Sequence, residues 1–256
     1  MAWSERGSGE AIVLLHGYLG SSHVWGEFGK MLSGGGRVIS IDLPGHGDSA
    51  VFDRVHTMEQ MATRVALLLE RVGAGRVLLA GHSLGGYVAL AIADLFPDML
   101  RGIVLFHSHP FPENAGAVKR RAREISVIAS GKKRLIYPAN VEMMFSTHNV
   151  PYMQDALNTL NRIAAETPDD GIVAMLRGMV VRPSRLALVE SGRIPLLWIL
   201  GRHDRYIDYT TMTDSVSLPA SATLVTLYSS GHVGFIEQPD ESLRAIRQFS
   251  GSLAPG

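Results

Sequence analysis

The stretch Val77-Leu78-Leu79-Ala80-Gly81-His82-Ser83-Leu84-Gly85-Gly86 constrains this chain more than any other. An apolar run of strand character meets a glycine-flanked serine and passes directly into Tyr87-Val88-Ala89-Leu90-Ala91, which reads as a helix. A strand that becomes a helix in so few residues must bend sharply. Side chains at Gly81 and Gly85 would crowd that bend and the close strand–helix contact. Ser83 sits at the apex, with its hydroxyl directed away from the sheet and beside the free amides that open the helix. The Gly-x-Ser-x-Gly spacing is common on its own; the flanking strand and helix give it meaning.

The rest of the chain repeats this strand-then-helix rhythm. Ala11–Leu15 is a short continuous apolar run, as a strand buried on both faces would be. It ends in His16-Gly17-Tyr18-Leu19-Gly20, and a short helix is expected around Trp25, Phe28 and Met31. Val38–Ile41 is a second strand, leading into the loop Asp42-Leu43-Pro44-Gly45-His46-Gly47-Asp48-Ser49. Thr57 to Val72 is a helix, with Thr57 and Gln60 forming a capping box and Met61, Val65, Leu68, Leu69 and Val72 on one face. Ile103–Phe106, Pro195–Leu200 and Thr223–Leu227 are further strands, and Pro239-Asp240-Glu241 opens a last helix. Strands alternating with helices imply a mostly parallel α/β sheet with helices on both faces.

The rhythm breaks between about Pro110 and Ile194, where no strong strand is seen. Ala117–Ala129 and Pro151–Ala165 have helical apolar spacing, and Ser184–Val189 is a shorter candidate. Thr167-Pro168-Asp169-Asp170 reads as a helix start with Thr167 as N-cap. Residues 111–190 are therefore expected to form a helical cap inserted in a core made of residues 1–110 and 191–256.

Composition narrows the chemistry. The chain of 256 residues has no cysteine, so disulfides, thiolate catalysis and Cys-based zinc sites are excluded. Lys+Arg and Asp+Glu are 24 each, so no overall field calls for nucleic acid or an anionic membrane. No run approaches a membrane span, and the polar segment Met1–Glu10 has no apolar signal-peptide core. A soluble cytoplasmic protein is the expectation.

In a parallel sheet, reactive groups gather at the carboxyl ends of the strands. Here those ends carry His16-Gly17, Asp42, Ser83, His107-Ser108-His109, Asp204 and His232. A serine hydroxyl needs a base to attack at neutral pH. His232 is the candidate base and Asp204 the acid that orients it, with Asp208 as rival. The amides of Leu84 and Tyr18 are the candidate oxyanion donors. His16, His109 and Val233 are candidate lining residues of the substrate pocket. His82 is read as a packing and hydrogen-bonding residue, and Asp42 and His46 as structural. His107 with His109 could begin a metal site, but no third ligand has motif spacing, and no metal or organic cofactor is expected.

Together these pieces resemble the α/β-hydrolase superfamily, of the cap-bearing serine-hydrolase kind. The matching residues are His16-Gly17-Tyr18-Leu19-Gly20, Asp42 to Ser49, Gly81-His82-Ser83-Leu84-Gly85-Gly86, Gly201-x-x-Asp204 and Gly231-His232-x-x-x-x-Glu237-x-Pro239. The order serine, acid, histidine is the superfamily's order. The segment before Ala11 is too short for the usual leading antiparallel pair, so the sheet is expected to lack its first strand. The resemblance implies a carboxylesterase-like enzyme for small to medium acyl esters, acting through an acyl-enzyme. A carbon–carbon bond hydrolase or lyase on the same triad, and a slow ligand receptor of the same fold, are the alternatives. Lys119, Arg120, Arg121, Arg123, Lys132, Lys133 and Arg134 make the cap locally basic. That patch is read as a solvated face rather than a dock for an acidic carrier protein. Met143, Met144, Phe145, Met175 and Met179 are read as core that could also line an acyl pocket.

Overall fold

The computed structural model describes residues 1–254. Its strands are β1 (Trp3–Arg6), β2 (Ala11–Leu15), β3 (Arg37–Ile41), β4 (Val77–His82), β5 (Leu100–Phe106), β6 (Leu196–Gly201) and β7 (Ala222–Leu227). They form one sheet in the order β1-β3-β2-β4-β5-β6-β7. Every pair is parallel except β1 with β3. β2, β4, β5 and β6 are buried at every position, which accounts for their mostly apolar sequences.

Helices cover both faces of the sheet. Before β6 they are α1 (Gly26–Leu32), α2 (Met58–Arg71), α3 (Leu84–Leu95), α4 (Ala115–Ala129), α5 (Tyr137–Met143), α6 (Gln154–Glu166), α7 (Asp169–Val180) and α8 (Leu186–Glu190). After it come α9 (Tyr209–Ser215), α10 (Gly234–Glu237) and α11 (Pro239–Ser252). α2 packs on α3, which lies along β4 and β5, while α1 packs on α11 and against β3, and α11 lies along β6 and β7. The capping box on α2 is present in both directions, Thr57 to the Gln60 amide and Gln60 to the Thr57 amide. No described helix is long and apolar enough to cross a membrane.

A single antiparallel strand, β1, leads the sheet in place of a pair. Its four residues are all exposed, so it carries no hydrophobic alternation for the sequence to reveal. Arg37 and Glu5 bridge it to β3 with a 2.8 Å contact.

Between β5 and β6 the described chain is helical, from α4 to α8. α5 carried no clear sequence signal. The expected N-cap role of Thr167 is corrected: its hydroxyl donates to the Ile163 carbonyl at 3.0 Å, closing α6, and Pro168 stands at the start of α7. Pro168 takes the N-cap position, and the Thr167 side chain, one residue earlier and turned back on α6, accepts from no amide of α7.

The sheet register decides what meets at its carboxyl edge. Leu15 lies opposite Gly81, His82 opposite Phe106, Phe106 opposite Ile199, and Gly201 opposite Leu227. The segments that follow therefore leave the sheet at one level, as parallel strands of matched length require. Beneath them Trp25, Phe28, Phe106 and Phe235 form a buried aromatic cluster, with Trp25 and Phe235 centroids 4.5 Å apart. The His82 ring stands edge-on to both Trp25 and Phe235.

Candidate active site

Ser83 lies between β4 and α3 with φ 50° and ψ −114°, a conformation that costs a non-glycine residue on the order of 1–3 kcal/mol. The bend is as tight as its glycines imply. A Cβ on Gly81 would sit 2.3 Å from the Gly85 oxygen, and one on Gly85 2.4 Å from the Leu15 oxygen. The backbone is held in place from β5: the Ser83 amide donates to Phe106 at 2.9 Å, and Ser108 Oγ donates to the Ser83 carbonyl at 2.7 Å.

The loop 16–20 crosses beside this bend. A Cβ on Gly17 would lie 3.2 Å from Ser83 Cβ, so the Tyr18 segment runs against the serine. Leu84 opens α3, where amides have no acceptor within the helix. Both candidate oxyanion amides thus belong to segments that flank Ser83.

His232 Nδ1 lies 2.7 Å from Asp204 Oδ2, and both side chains are buried. Asp204 Oδ1 accepts from the amides of Tyr206 at 2.8 Å and Ile207 at 3.0 Å. Burial would raise the Asp204 carboxyl, but His232 beside it and hydrogen bonds from His107 and His232 outweigh this and hold it far below the usual carboxylate range. The rival Asp208 is exposed and spent elsewhere, accepting from the Thr211 amide at 2.7 Å as the N-cap of α9. The His232 backbone is fixed twice. Its amide donates to Met144 at 2.6 Å, and its carbonyl lies 2.8 Å from His82 Nε2.

Ser83 and His232 share a cavity of about 430 Å³, with Tyr87, His109, Arg121 and Tyr206 also on its walls. A hollow of about 30 Å³ beside Ser83 adds Tyr18, Met144 and Met179. A third, of about 20 Å³ and apolar, lies between the 17–20 loop, Val233 and Phe235. Arg182, stacked 3.9 Å over Tyr87, meets Glu113 at 2.7 Å, and Arg121 reaches the same carboxylate at 3.6 Å. The wall is therefore polar but largely charge-compensated. Burial pushes His109 down to about 3, so its ring is neutral at ordinary pH. Phe111 donates its amide to Nδ1, which leaves the proton on Nε2, 3.1 Å from the Tyr87 hydroxyl.

The sequence candidates separate clearly in space. Ser83, Asp204, His232, Tyr18 and Leu84 come together; His109 lines the main cavity and Val233 the small apolar one. His16 lines none of the three cavities just described, contrary to expectation. It is fully buried, with Nδ1 2.9 Å from the Gly17 carbonyl and Nε2 accepting the Leu43 amide at 2.9 Å. Asp42 accepts the amides of Ser22 and Asp48, the structural role read for its loop. Met144 and Met179 are both core and cavity wall. Arg121 turns from the basic patch towards the cavity and pairs with Glu113 and Glu124, whereas Lys119, Arg120, Arg123, Lys132 and Arg134 are exposed.

The polar supports were missed. Glu237 is buried and accepts from Ser146 N, Asn149 Nδ2, Ser230 Oγ and Gly231 N at 2.7–3.0 Å. It ties the histidine loop to the segment after α5. Its place in the Gly231-to-Pro239 pattern was the available signal. His107, Asp204 and His232 bring ligand-type atoms within 4.8 Å of one another. Within this set His232 Nδ1 and Asp204 Oδ2 are joined by the 2.7 Å contact, and the Gly201 amide lies 3.1 Å from His107 Nδ1, so the three side chains read as a hydrogen-bonded cluster. His109 faces Tyr87 instead, so the two histidines after β5 do not form a pair.

Comparison with known proteins agrees with this architecture. The chain is 26% identical to a pimeloyl-acyl-carrier-protein methyl ester esterase of Stenotrophomonas maltophilia, over 97% of this chain and 96% of that one. It is also 26% identical to the protein PHYLLO, chloroplastic, of Arabidopsis thaliana, over 96% of this chain, but it spans only 16% of that longer protein. Among solved structures, a thermophilic esterase from Thermogutta terrifontis is 27% identical and superposes with a TM-score of 0.93, over 98% of this chain and 92% of that one. A family model described as the alpha/beta hydrolase family matches residues 12–245, and the chain belongs to that family.

Proposed function

We propose that this protein hydrolyses carboxylic esters of small to medium acyl chains, with Ser83 as nucleophile, His232 as base and Asp204 as orienting acid. The observation that carries this reading is the 2.7 Å His232–Asp204 contact on a histidine that shares a cavity with a strained serine. With Nδ1 engaged by Asp204, Nε2 is the nitrogen left to take the serine proton. Ser83 Oγ attacks the carbonyl carbon, and the amides of Leu84 and Tyr18 receive the oxyanion. The alcohol departs with the proton from His232. Water, deprotonated by the same ring, then releases the acid.

Residues 111–190 act in this proposal as a cap over the site, since Ala117, Arg121, Met144 and Met179 from that region wall the cavities beside Ser83. A volume of about 430 Å³ suits a bounded small-molecule ester. The esterases of Stenotrophomonas and Thermogutta lend the same support.

The test is a panel of p-nitrophenyl esters of increasing acyl length, with fluorophosphonate labelling of wild type and Ser83→Ala. Repeated turnover with label confined to Ser83 is expected. One equivalent of acyl capture without turnover would favour a ligand receptor, and labelling that survives Ser83→Ala would move the nucleophile elsewhere.

A further inference from the structure

His107 follows β5 and is fully buried. It holds φ 47°, in company with only Leu19 and Ser83 among described non-glycine residues. Both of those belong to the segments around the nucleophile. A left-handed conformation costs a residue with a Cβ on the order of 1–2 kcal/mol, so glycine would be the relaxed choice if no side chain were wanted.

The imidazole is surrounded in an unusual way. The Gly234 amide points at Nε2 from 3.0 Å, and the Gly201 amide at Nδ1 from 3.1 Å. Asp204 Oδ2 lies 3.5 Å from Nδ1. A neutral ring has one proton and one in-plane lone pair. A proton on Nε2 would face the Gly234 N–H with no acceptor. A proton on Nδ1 faces the Gly201 N–H in the same way, but it alone has an acceptor beside it, the Asp204 carboxylate. Burial, the largest influence on His107, pushes it below its ordinary value, which keeps it singly protonated.

These contacts reach both loops of the candidate machinery. Gly201 ends β6 just before Asp204, and Gly234 begins α10 just after His232. We propose that His107 is a positioning residue: its Nδ1–H shares Asp204 Oδ2 with His232, while its Nε2 accepts from the Gly234 amide, so that one ring ties the acid to the base loop. The proposal rests on the Ser83–His232–Asp204 reading. Its consequence is a carboxylate whose second partner moderates its pull on His232. The other titratable or charged groups facing His232 are His82, His109, Tyr206 and Arg121. Those facing His107 are Asp204, His232, His82 and Glu237.

Two variants divide the ring's duties. His107→Asn keeps a donor near the Nδ1 position, and asparagine tolerates positive φ. His107→Gln reaches the Nε2 position and can accept from Gly234, but has no donor for Asp204. On p-nitrophenyl acetate, His107→Gln should lose about tenfold in kcat with KM within about twofold. Its acid limb should move up by about half a pH unit, because the freed carboxylate stabilises protonated His232 more strongly. His107→Asn should restore the wild-type profile. A His107→Gln profile that superimposes on wild type, or a His107→Asn profile displaced as far, overturns the proposal.

One measurement needs no variant. In wild-type protein labelled with 15N-histidine, long-range correlations should report His107 as the neutral Nδ1–H form; the Nε2–H form overturns the proposal. Fluorophosphonate labelling of Ser83 in that sample keeps the two questions apart. Absence of label defeats the triad reading, whereas the tautomer alone judges the His107–Asp204 contact.

Discussion

His82 Nε2 lies 2.8 Å from the backbone carbonyl of His232, so the residue next to the candidate nucleophile holds the main chain of the candidate base. The bond joins the end of β4 to the loop after β7 across the fully buried edge of the sheet. His82→Leu leaves that carbonyl without its donor, a loss of about 1–3 kcal/mol. Urea unfolding should show it, and kcat should fall by about tenfold. His82→Gln, which keeps a donor, should lose less on both measures.

Ser83 pays a conformational penalty that glycine does not. Ser83→Gly should abolish fluorophosphonate labelling and stabilise the fold by about 1 kcal/mol, raising Tm by about 2–4 °C. An unchanged or lower Tm would show that the bend stores no strain.

The acid is Asp204 and not its neighbour. Asp204→Asn should lower turnover by on the order of 10⁴, the magnitude known for a serine-protease triad acid. Asp208→Asn should leave turnover within about threefold, since that residue caps α9. Steady-state kinetics on one ester distinguishes the two. Comparable losses would reassign the acid.

Acid should weaken the fold through two kinds of group, the second setting in at lower pH than the first. Burial pushes His46 and His109 down to about 3, and pushes His16, His82 and His107 below the ordinary value. In the unfolded chain each takes a proton near about 6.5. Below that pH the unfolded state binds more protons, so stability falls as pH falls. Each such histidine contributes up to about 1.4 kcal/mol per pH unit. Asp204 adds a second decline below about 3.9, because its carboxyl is depressed in the folded state. Unfolding free energies at a series of pH values check the first decline, and His46→Gln should reduce its slope by about one proton.

Glu237 accepts hydrogen bonds from the histidine loop and from the segment after α5. Glu237→Gln replaces one accepting oxygen with a donor that faces other donors. A loss of about 2 kcal/mol in unfolding free energy is expected, together with reduced kcat. A variant as stable as wild type would remove Glu237 from the supports of the site.

The Ser83 bend, the Thr57 capping box and the buried strands were legible because each is written in neighbouring residues. Strand β1 was not, since an edge strand exposed at all four positions has no alternation to display. Thr167 misled because its hydroxyl had two helices to choose from, and α6 lay nearer. His16 misled for a related reason: it stands at a strand end, but both its nitrogens had backbone partners within reach.

The amino-acid order by itself determined the strand–turn–helix units, the absence of thiol chemistry and the short set of polar residues placed at strand ends. Only the tertiary structure decided which of them meet. Asp204 rather than Asp208 engages His232, and His107 rather than His109 stands beside that acid, because the register of β5, β6 and β7 sets the loops at one level. Turn and period chemistry act over a few residues and can be read locally. A hydrogen bond of 2.7 Å between residues far apart depends on the relative placement of whole strands, which no short stretch of chain encodes.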